Sequence, residues 1–307
     1  MSDLIKGLIF ATAAAALNAS IGIFSKILIE EGLNIQDIAF FKTFAAFLLL
    51  SLMLIRKPFA EQKRSITDTA AYSAGRFWGS VALCAFLGIF VLFFFETAAY
   101  RYGNAADVVA VLMASAAVSA LVFGRILLGE SIAWTALLGT AAAVVGIGII
   151  AWSEGATGGN IRLVGNAALA GTGYGVFSVM VKKTGLKGGL FLTRLLMLFG
   201  SLFLLLPFLN MMHPIDWNGK IVLSVLALAL LPTVLGFYCT TKALGLMSAA
   251  NVQVTELSEP LFAAFLAWLV LSEMPSAAFL AGAVCIVAGI VLMNGLYPAN
   301  FRKFKNI

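Results

Sequence analysis

Ten apolar blocks follow one another along this chain, separated by short breaks. They run at roughly 4–28, 36–55, 78–100, 105–123, 132–152, 162–181, 188–208, 220–241, 248–271 and 276–297. Crossing roughly 30 Å of hydrocarbon takes about 20 helical residues, and most of the blocks have that length. Lipid offers no partner to an unpaired backbone amide or carbonyl, so each block is predicted to be a helix; a closed barrel would show short alternating strands instead. Composition agrees. Of 307 residues, 62% are hydrophobic and only 11% charged, against roughly 25% charged in soluble domains. There is too little polar surface to coat a water-soluble body of this size.

The breaks carry turn and charge signals: Arg56-Lys57-Pro58, Gly158-Gly159-Asn160, Gly188-Gly189 and His213-Pro214. The first block is expected to remain in the mature protein. A signal peptide's apolar core is about 7–15 residues long, whereas this block continues through Ile21, Ile23, Phe24 and Ile27. The net charge of +6 reflects topology, not nucleic-acid binding, because the basic residues lie in the connectors. With the amino terminus inside, fourteen Lys and Arg fall in cytoplasmic segments and four in external ones, leaving Lys42 and Arg194 within spans. Positive residues favour the cytoplasmic side, so both termini are expected there, in a bacterial inner membrane. Trp78, Trp134, Trp152, Trp217 and Trp268 lie near block ends, where amphipathic rings settle at the interface. Cys84, Cys239 and Cys285 fall inside apolar blocks without metal-ligand spacing. They are expected to pack, with no disulfide framework, metal site or cofactor.

The second half of the chain echoes the first. FGRILLGE at Phe123–Glu130 parallels LAWLVLSE at Leu266–Glu273, and Gly139 and Gly146 match Gly282 and Gly289 at an offset of 143. Asn104-Ala105-Ala106-Asp107-Val108 parallels Ser248-Ala249-Ala250-Asn251-Val252 at 144, and Lys42 and Arg194 occupy comparable places in the second and seventh blocks. Five spans per half is an odd number, so the halves, residues 1–152 and 162–298, are expected to cross the membrane in opposite directions. Inverted repeats of this kind rock about a site near the midplane. The fold class expected is therefore an all-α integral membrane protein, with ten transmembrane helices in two inverted five-helix repeats around a central cavity.

Two five-span halves, each with an LLGE- or LVLSE-type turn before a Gly-rich last span, resemble the EamA-type drug/metabolite transporters, with the YddG-like bacterial amino acid exporters as the nearest members. The resemblance implies a ten-helix basket, a central cavity, alternating access and export of amino acids or related metabolites. It puts the family's glutamate turns at Glu130 and Glu273, expected to shape connections and not to bind solute. The first turn departs from the second in being split by Gly124-Arg125, so the two need not behave alike.

Three carboxylates, Glu96, Glu256 and Glu259, lie inside blocks. A charge at the bilayer centre costs about 2.5–3.5 kcal/mol on insertion scales, so such residues face a cavity or a partner. Glu256 and Glu259 fall near mid-membrane, and their spacing puts them on one helix face that Gln253 extends. Pro260 follows, removes an amide donor and is expected to bend the helix. These acids serve as cavity lining, as proton-coupling groups, or as hydrogen-bonded packing. Lys42 and Glu96 sit near the external ends of their spans and are expected to form a structural ion pair. Arg194 snorkels its head to the interface or meets solute. Asn18, Tyr174, Phe177, Tyr238 and Thr240 are candidates to complete a polar and aromatic cavity. Gly171-Thr172-Gly173-Tyr174-Gly175 mimics a phosphate loop, but it lies within a span, where small residues pack helices closely.

The function expected is export of amino acids, aromatic or other neutral ones among them, or of similar small metabolites. Phosphorylated cargo such as nucleotide sugars is the second reading, and it would require clustered cations at mid-membrane. A membrane-embedded enzyme is the reading of another class. It would need a convergent nucleophile and base, and the only histidine, His213, lies in a connector beside Pro214. The partners expected are a small-molecule solute and the bilayer. A single copy of the chain is compatible with this arrangement, and the sequence leaves the oligomeric state open.

Overall fold

The computed structural model describes residues 2–56, 61, 74–102, 105–130, 132–153, 161–271 and 277–294. All regular structure among them is helical. Six stretches run as α1 (Asp3–Glu30), α2 (Ile35–Met53), α3 (Gly75–Tyr100), α4 (Ala105–Leu128), α5 (Trp134–Ser153) and α6 (Ile161–Lys183). They continue as α7 (Leu190–Asn210), α8 (Gly219–Leu244), α9 (Ala249–Glu256), α10 (Glu259–Leu271) and α11 (Ala277–Asn294). Seven of these helices are long and apolar enough to cross a membrane, and the apolar cores of α5 and α11 are shorter. Glu273, Asn104 and the 158–160 turn lie outside the described residues.

Polar residues at the breaks start the helices by accepting from first-turn amides that have no partner within the helix. Ser2 Oγ accepts from the Ile5 amide at 3.4 Å, Asn218 Oδ1 from Ile221 at 2.9 Å and Ser248 Oγ from Asn251 at 3.1 Å. At α2, the Asp37 carboxylate reaches back to the Asn34 amide at 2.8 Å as one arm of a capping box. The turn after α4 is closed by Gly129, whose φ of +67° suits glycine alone at low cost. Glu130 then folds back over α4, its amide donating to the Gly124 carbonyl at 3.4 Å. A side chain at Gly124 would crowd the Glu130 carboxylate.

Small residues let the helices approach. A Cβ on Gly171 would overlap the Leu112 carbonyl oxygen, and one on Gly175 that of Ala116, so α6 runs alongside and parallel to α4. The glycine run is thus a packing surface. Between α5 and α11, a Cβ on Gly139 would come within 2.8 Å of the Gly289 carbonyl, and one on Gly146 within 2.6 Å of the Gly282 carbonyl. Rising numbers on one helix meet falling numbers on the other, so α5 and α11 are antiparallel. The stack of Phe40 on Phe208, with centroids 4.5 Å apart, joins the start of α2 to the end of α7 in the same sense.

Two π-helical segments interrupt the long helices, Phe86–Val91 in α3 and Ala229–Gly236 in α8. They begin 143 residues apart, the same offset that relates the glycine pairs. Segments of this type leave the regular bonding ladder and concentrate at functional sites. In the second segment Pro232 lacks the amide an α-helix would use, and Thr233 donates its hydroxyl to the Leu228 carbonyl at 2.7 Å.

Candidate functional site

Next to these π segments lies a small cavity. Asn18 and Ile21 of α1, Lys42 of α2, and Leu92, Phe93 and Glu96 of α3 line it, with Leu112 and Met113 of α4. Tyr174 of α6, Pro232, Thr233 and Phe237 of α8, and Glu259 of α10 complete the wall. Its volume is ≈ 20 Å³, room for about one water. A solute larger than that enters only if the walls move apart.

Lys42 and Glu96 meet inside this cavity, with Nζ 3.5 Å from Glu96 Oε2 and both side chains almost wholly buried. The ammonium also lies 4.0 Å from the centroid of the Phe93 ring, where the ring's negative face attracts a cation. Glu259 is 2% exposed, and its Oε2 has no hydrogen-bond partner among the described residues. One cation and two acids therefore share a space the size of a water molecule.

Glu256 stands elsewhere. Tyr174 donates its phenol proton to Glu256 Oε2 at 2.7 Å, and Thr240 donates its hydroxyl to Oε1 at 2.7 Å. Below it, Gln253 Nε2 donates to Ser178 Oγ at 2.8 Å, and Ser178 donates to the Tyr174 carbonyl at 3.0 Å. Glu256 thus ties α6, α8 and α9 together in a buried, hydrogen-bonded block. Only Tyr174 belongs both to this block and to the cavity wall.

The expectation that Glu256 and Glu259 share one helix face assumes an unbroken helix. The helix instead breaks at Leu257-Ser258. Pro260 has no amide to offer Glu256, and the Leu261 amide turns to Ser258, at 3.0 Å. The two acids diverge, one towards the hydroxyls of α6 and α8, the other towards the cavity.

The remaining candidates divide in the same way. Asn18 lines the cavity, with its Oδ1 against Gly236, where a Cβ would approach within 2.6 Å. Phe177 is fully buried behind the wall, stacked 6.2 Å from Tyr174 and tilted against Phe237 at 5.7 Å. Tyr238 is half-buried away from the cavity lining, packed edge-on against Phe10 of α1 at 6.2 Å and 5.8 Å from the Lys242 ammonium. Arg194 lies away from the cavity, its guanidinium 5.0 Å from the Phe191 ring. Reasoning from the sequence missed Ser178, Thr233, Met113 and the cation–π role of Phe93. Apolar and hydroxyl residues inside apolar blocks give no signal of their own. Leu112, which precedes Glu256 by the repeat offset of 144, also lines the cavity.

The sequence pattern of the EamA-like transporter family matches residues 5–152 and 162–295. The chain belongs to the EamA-like transporter family. It is 26% identical over 178 residues to "Uncharacterized transporter YvbV" of Bacillus subtilis (strain 168), covering 56% of this chain and 58% of the relative. It is 28% identical over 202 residues to the "Probable terminal-alkyne amino-acid exporter" of Streptantibioticus cattleyicolor, covering 62% of this chain and 64% of that protein. These matches span less than two thirds of either relative's length. A solved structure titled "Crystal structure of protein" superimposes with a TM-score of 0.67 at 16% identity, covering 94% of this chain and 96% of the other. That likeness concerns the fold alone. Both stretches matched to the EamA-like family contribute walls to the cavity.

Proposed function

We propose that this EamA-like protein exports amino acids or closely related small metabolites by alternating access, through ten spans arranged as two inverted five-helix repeats. The repeats are residues 1–152 and 162–298, and both termini face the cytoplasm of a bacterial inner membrane. The observation that carries the reading is the buried charged cavity, with Lys42 and Glu96 from one repeat and Glu259 from the other. Buried ions are costly in a membrane and persist where they serve a solute or ion path.

Two features support the inverted arrangement. The contact of Gly139 with Gly289 is the repeat image of the contact of Gly282 with Gly146, as expected when equivalent helices are related by a twofold axis in the membrane plane. The two π segments recur at the same offset, which gives each half one irregular helix beside the cavity. Occluded cavities between such halves open to one side at a time.

One cation beside two acids is a poor match for a phosphorylated solute, which needs clustered positive charge. It suits an ammonium-bearing solute. The relative from Streptantibioticus cattleyicolor, whose printed name describes amino-acid export, points the same way. Coupling to protons through Glu256 or Glu259 and uncoupled facilitation both fit this geometry. The test is flux in proteoliposomes containing the purified chain, with and without a pH gradient. Amino acid counterflow above that of empty liposomes is expected, and its absence across a broad amino acid panel would overturn the assignment.

A further inference from the structure

Glu259 and Lys42 are the two unfinished polar groups of the cavity. A carboxylate has two oxygens and about four acceptor positions. Glu256 has both oxygens occupied by hydroxyl donors, whereas Glu259, three residues later, has Oε2 without a donor among the described residues. Leaving a buried acceptor unmet is costly. Lys42 carries three donor hydrogens. Its one carboxylate contact is Glu96, at the long distance of 3.5 Å, and the Phe93 face is its second neighbour. The cavity therefore presents one pole short of a cation and one pole with donors to spare. The wall near them is apolar, with Leu112, Met113 and Phe237.

We propose that these poles read the two ends of an α-amino acid. Glu259 takes the cargo's ammonium, Lys42 takes its carboxylate alongside Glu96, and the apolar wall receives an uncharged side chain. This inference rests on the amino acid exporter reading and deepens it. Glu259 is the discriminating group, because an acid with an oxygen left without a donor selects for a positive charge, while Lys42 already has one anion beside it. A solute lacking the amine leaves Glu259 as bare as it is in the empty cavity. A solute lacking the carboxylate still engages Glu259 and loses only the second pole. Sites whose buried polar groups are left unpaired by the wrong ligand discriminate strongly.

The test uses the full chain in proteoliposomes with L-leucine, L-norvaline and L-phenylalanine as probes. For whichever of these is exchanged, two competitors are made, the deaminated acid and the decarboxylated amine. Taking L-leucine, they are 4-methylpentanoate and 3-methylbutylamine. With wild-type protein, the deaminated acid is expected to compete at least tenfold more weakly than the amino acid, and the amine to fall between them. In Glu259→Gln, affinity for the amino acid is expected to fall at least tenfold, with that for the deaminated acid unchanged. The thermal midpoint of this variant is expected to match or exceed wild type, because an unmet buried acid is removed. A merely structural glutamate would lower stability and leave the ranking of competitors intact. Equal competition by the deaminated acid, or wild-type amino acid affinity in Glu259→Gln, overturns the proposal while leaving the exporter reading standing. Failure of these three in wild type while other amino acids of the panel exchange overturns the proposal alone, and failure of the whole panel overturns both.

Discussion

Glu256 and Glu259 are three residues apart yet face different surroundings, with Tyr174 alone of the named residues reaching both. Glu256 accepts from Tyr174 and Thr240 at 2.7 Å each, and Glu259 faces the cavity with one oxygen unmatched. In Glu256→Gln one of the two acceptor oxygens becomes a donor, which must find a hydroxyl lone pair in place of a hydroxyl proton. The block joining α6, α8 and α9 then loses one hydrogen bond, worth about 0.5–1.5 kcal/mol. The expected outcome is a folded, inserted protein whose maximal flux falls about tenfold, equivalent to ~1.4 kcal/mol in the rate-limiting step. The half-saturating solute concentration stays within about twofold, because Glu256 does not line the cavity. Flux equal to wild type at equal protein level would remove Glu256 from the mechanism.

Lys42 and Glu96 should depend on each other. Removing one partner of a buried pair leaves an uncompensated charge and costs about 3–5 kcal/mol, whereas removing both costs much less. Lys42→Ala is expected to lower stability by that amount. Adding Glu96→Gln should restore part of it, with a coupling above ~1 kcal/mol in the double-mutant cycle. Unfolding midpoints in a single detergent would measure it, and additive losses would show that the two residues act independently.

Much of this arrangement was legible in the sequence because lipid imposes a simple rule, a helix wherever an apolar run is long enough. The α1, α6 and α8 boundaries fall within a few residues of the apolar blocks, and the Lys42–Glu96 contact follows from two charges at equal depth. The divergence of Glu256 and Glu259 was not legible. It depends on where the freed carbonyls next to Pro260 break the helix, and an α-helical wheel assumes no break. The π segments were hidden for a related reason, since one extra residue per turn changes the bonding ladder without changing composition. Nor does a residue pattern separate cavity wall from helix packing. Tyr238 and Phe177 were reasonable wall candidates by type, but rotation about α8 and α6 turned one away from the cavity lining and the other behind the wall.

At one end of the bundle, α1 is tied to α8. Glu31 accepts from Lys220 Nζ at 2.7 Å and from Asn218 Nδ2 at 2.8 Å. The hydrogen bonds from Lys220 and then Asn218 hold the Glu31 carboxyl below its ordinary value. A depressed carboxyl contributes stability above its unfolded pKa and loses it as pH falls through the folded value. Lys220→Ala should therefore lower the thermal midpoint slightly at pH 7, and the gap to wild type should close in acid, below the ordinary carboxyl range. Salt should also narrow it at pH 7, as exposed pairs are screened. A gap that persists in acid would assign the effect to packing of the lysine stem.

Two glycines separate close packing from mere helix composition. Gly171 meets the Leu112 backbone, which cannot give way as a flexible side chain would, whereas Gly148 in α5 has nothing within 4 Å of its would-be Cβ. Gly171→Ala must push α6 away from α4 and open the side of the cavity where Leu112 and Tyr174 stand. A loss of roughly 1–3 kcal/mol is expected from overpacking, with a matching fall in the yield of monodisperse protein. Gly148→Ala should be neutral or slightly stabilising, since alanine favours the helix by about 0.8–1 kcal/mol. Thermal midpoints of the two variants, measured side by side, decide the matter. Equal behaviour would mean that α4 and α6 do not approach as closely as the Gly171–Leu112 contact requires, and the cavity wall they form would have to be redrawn.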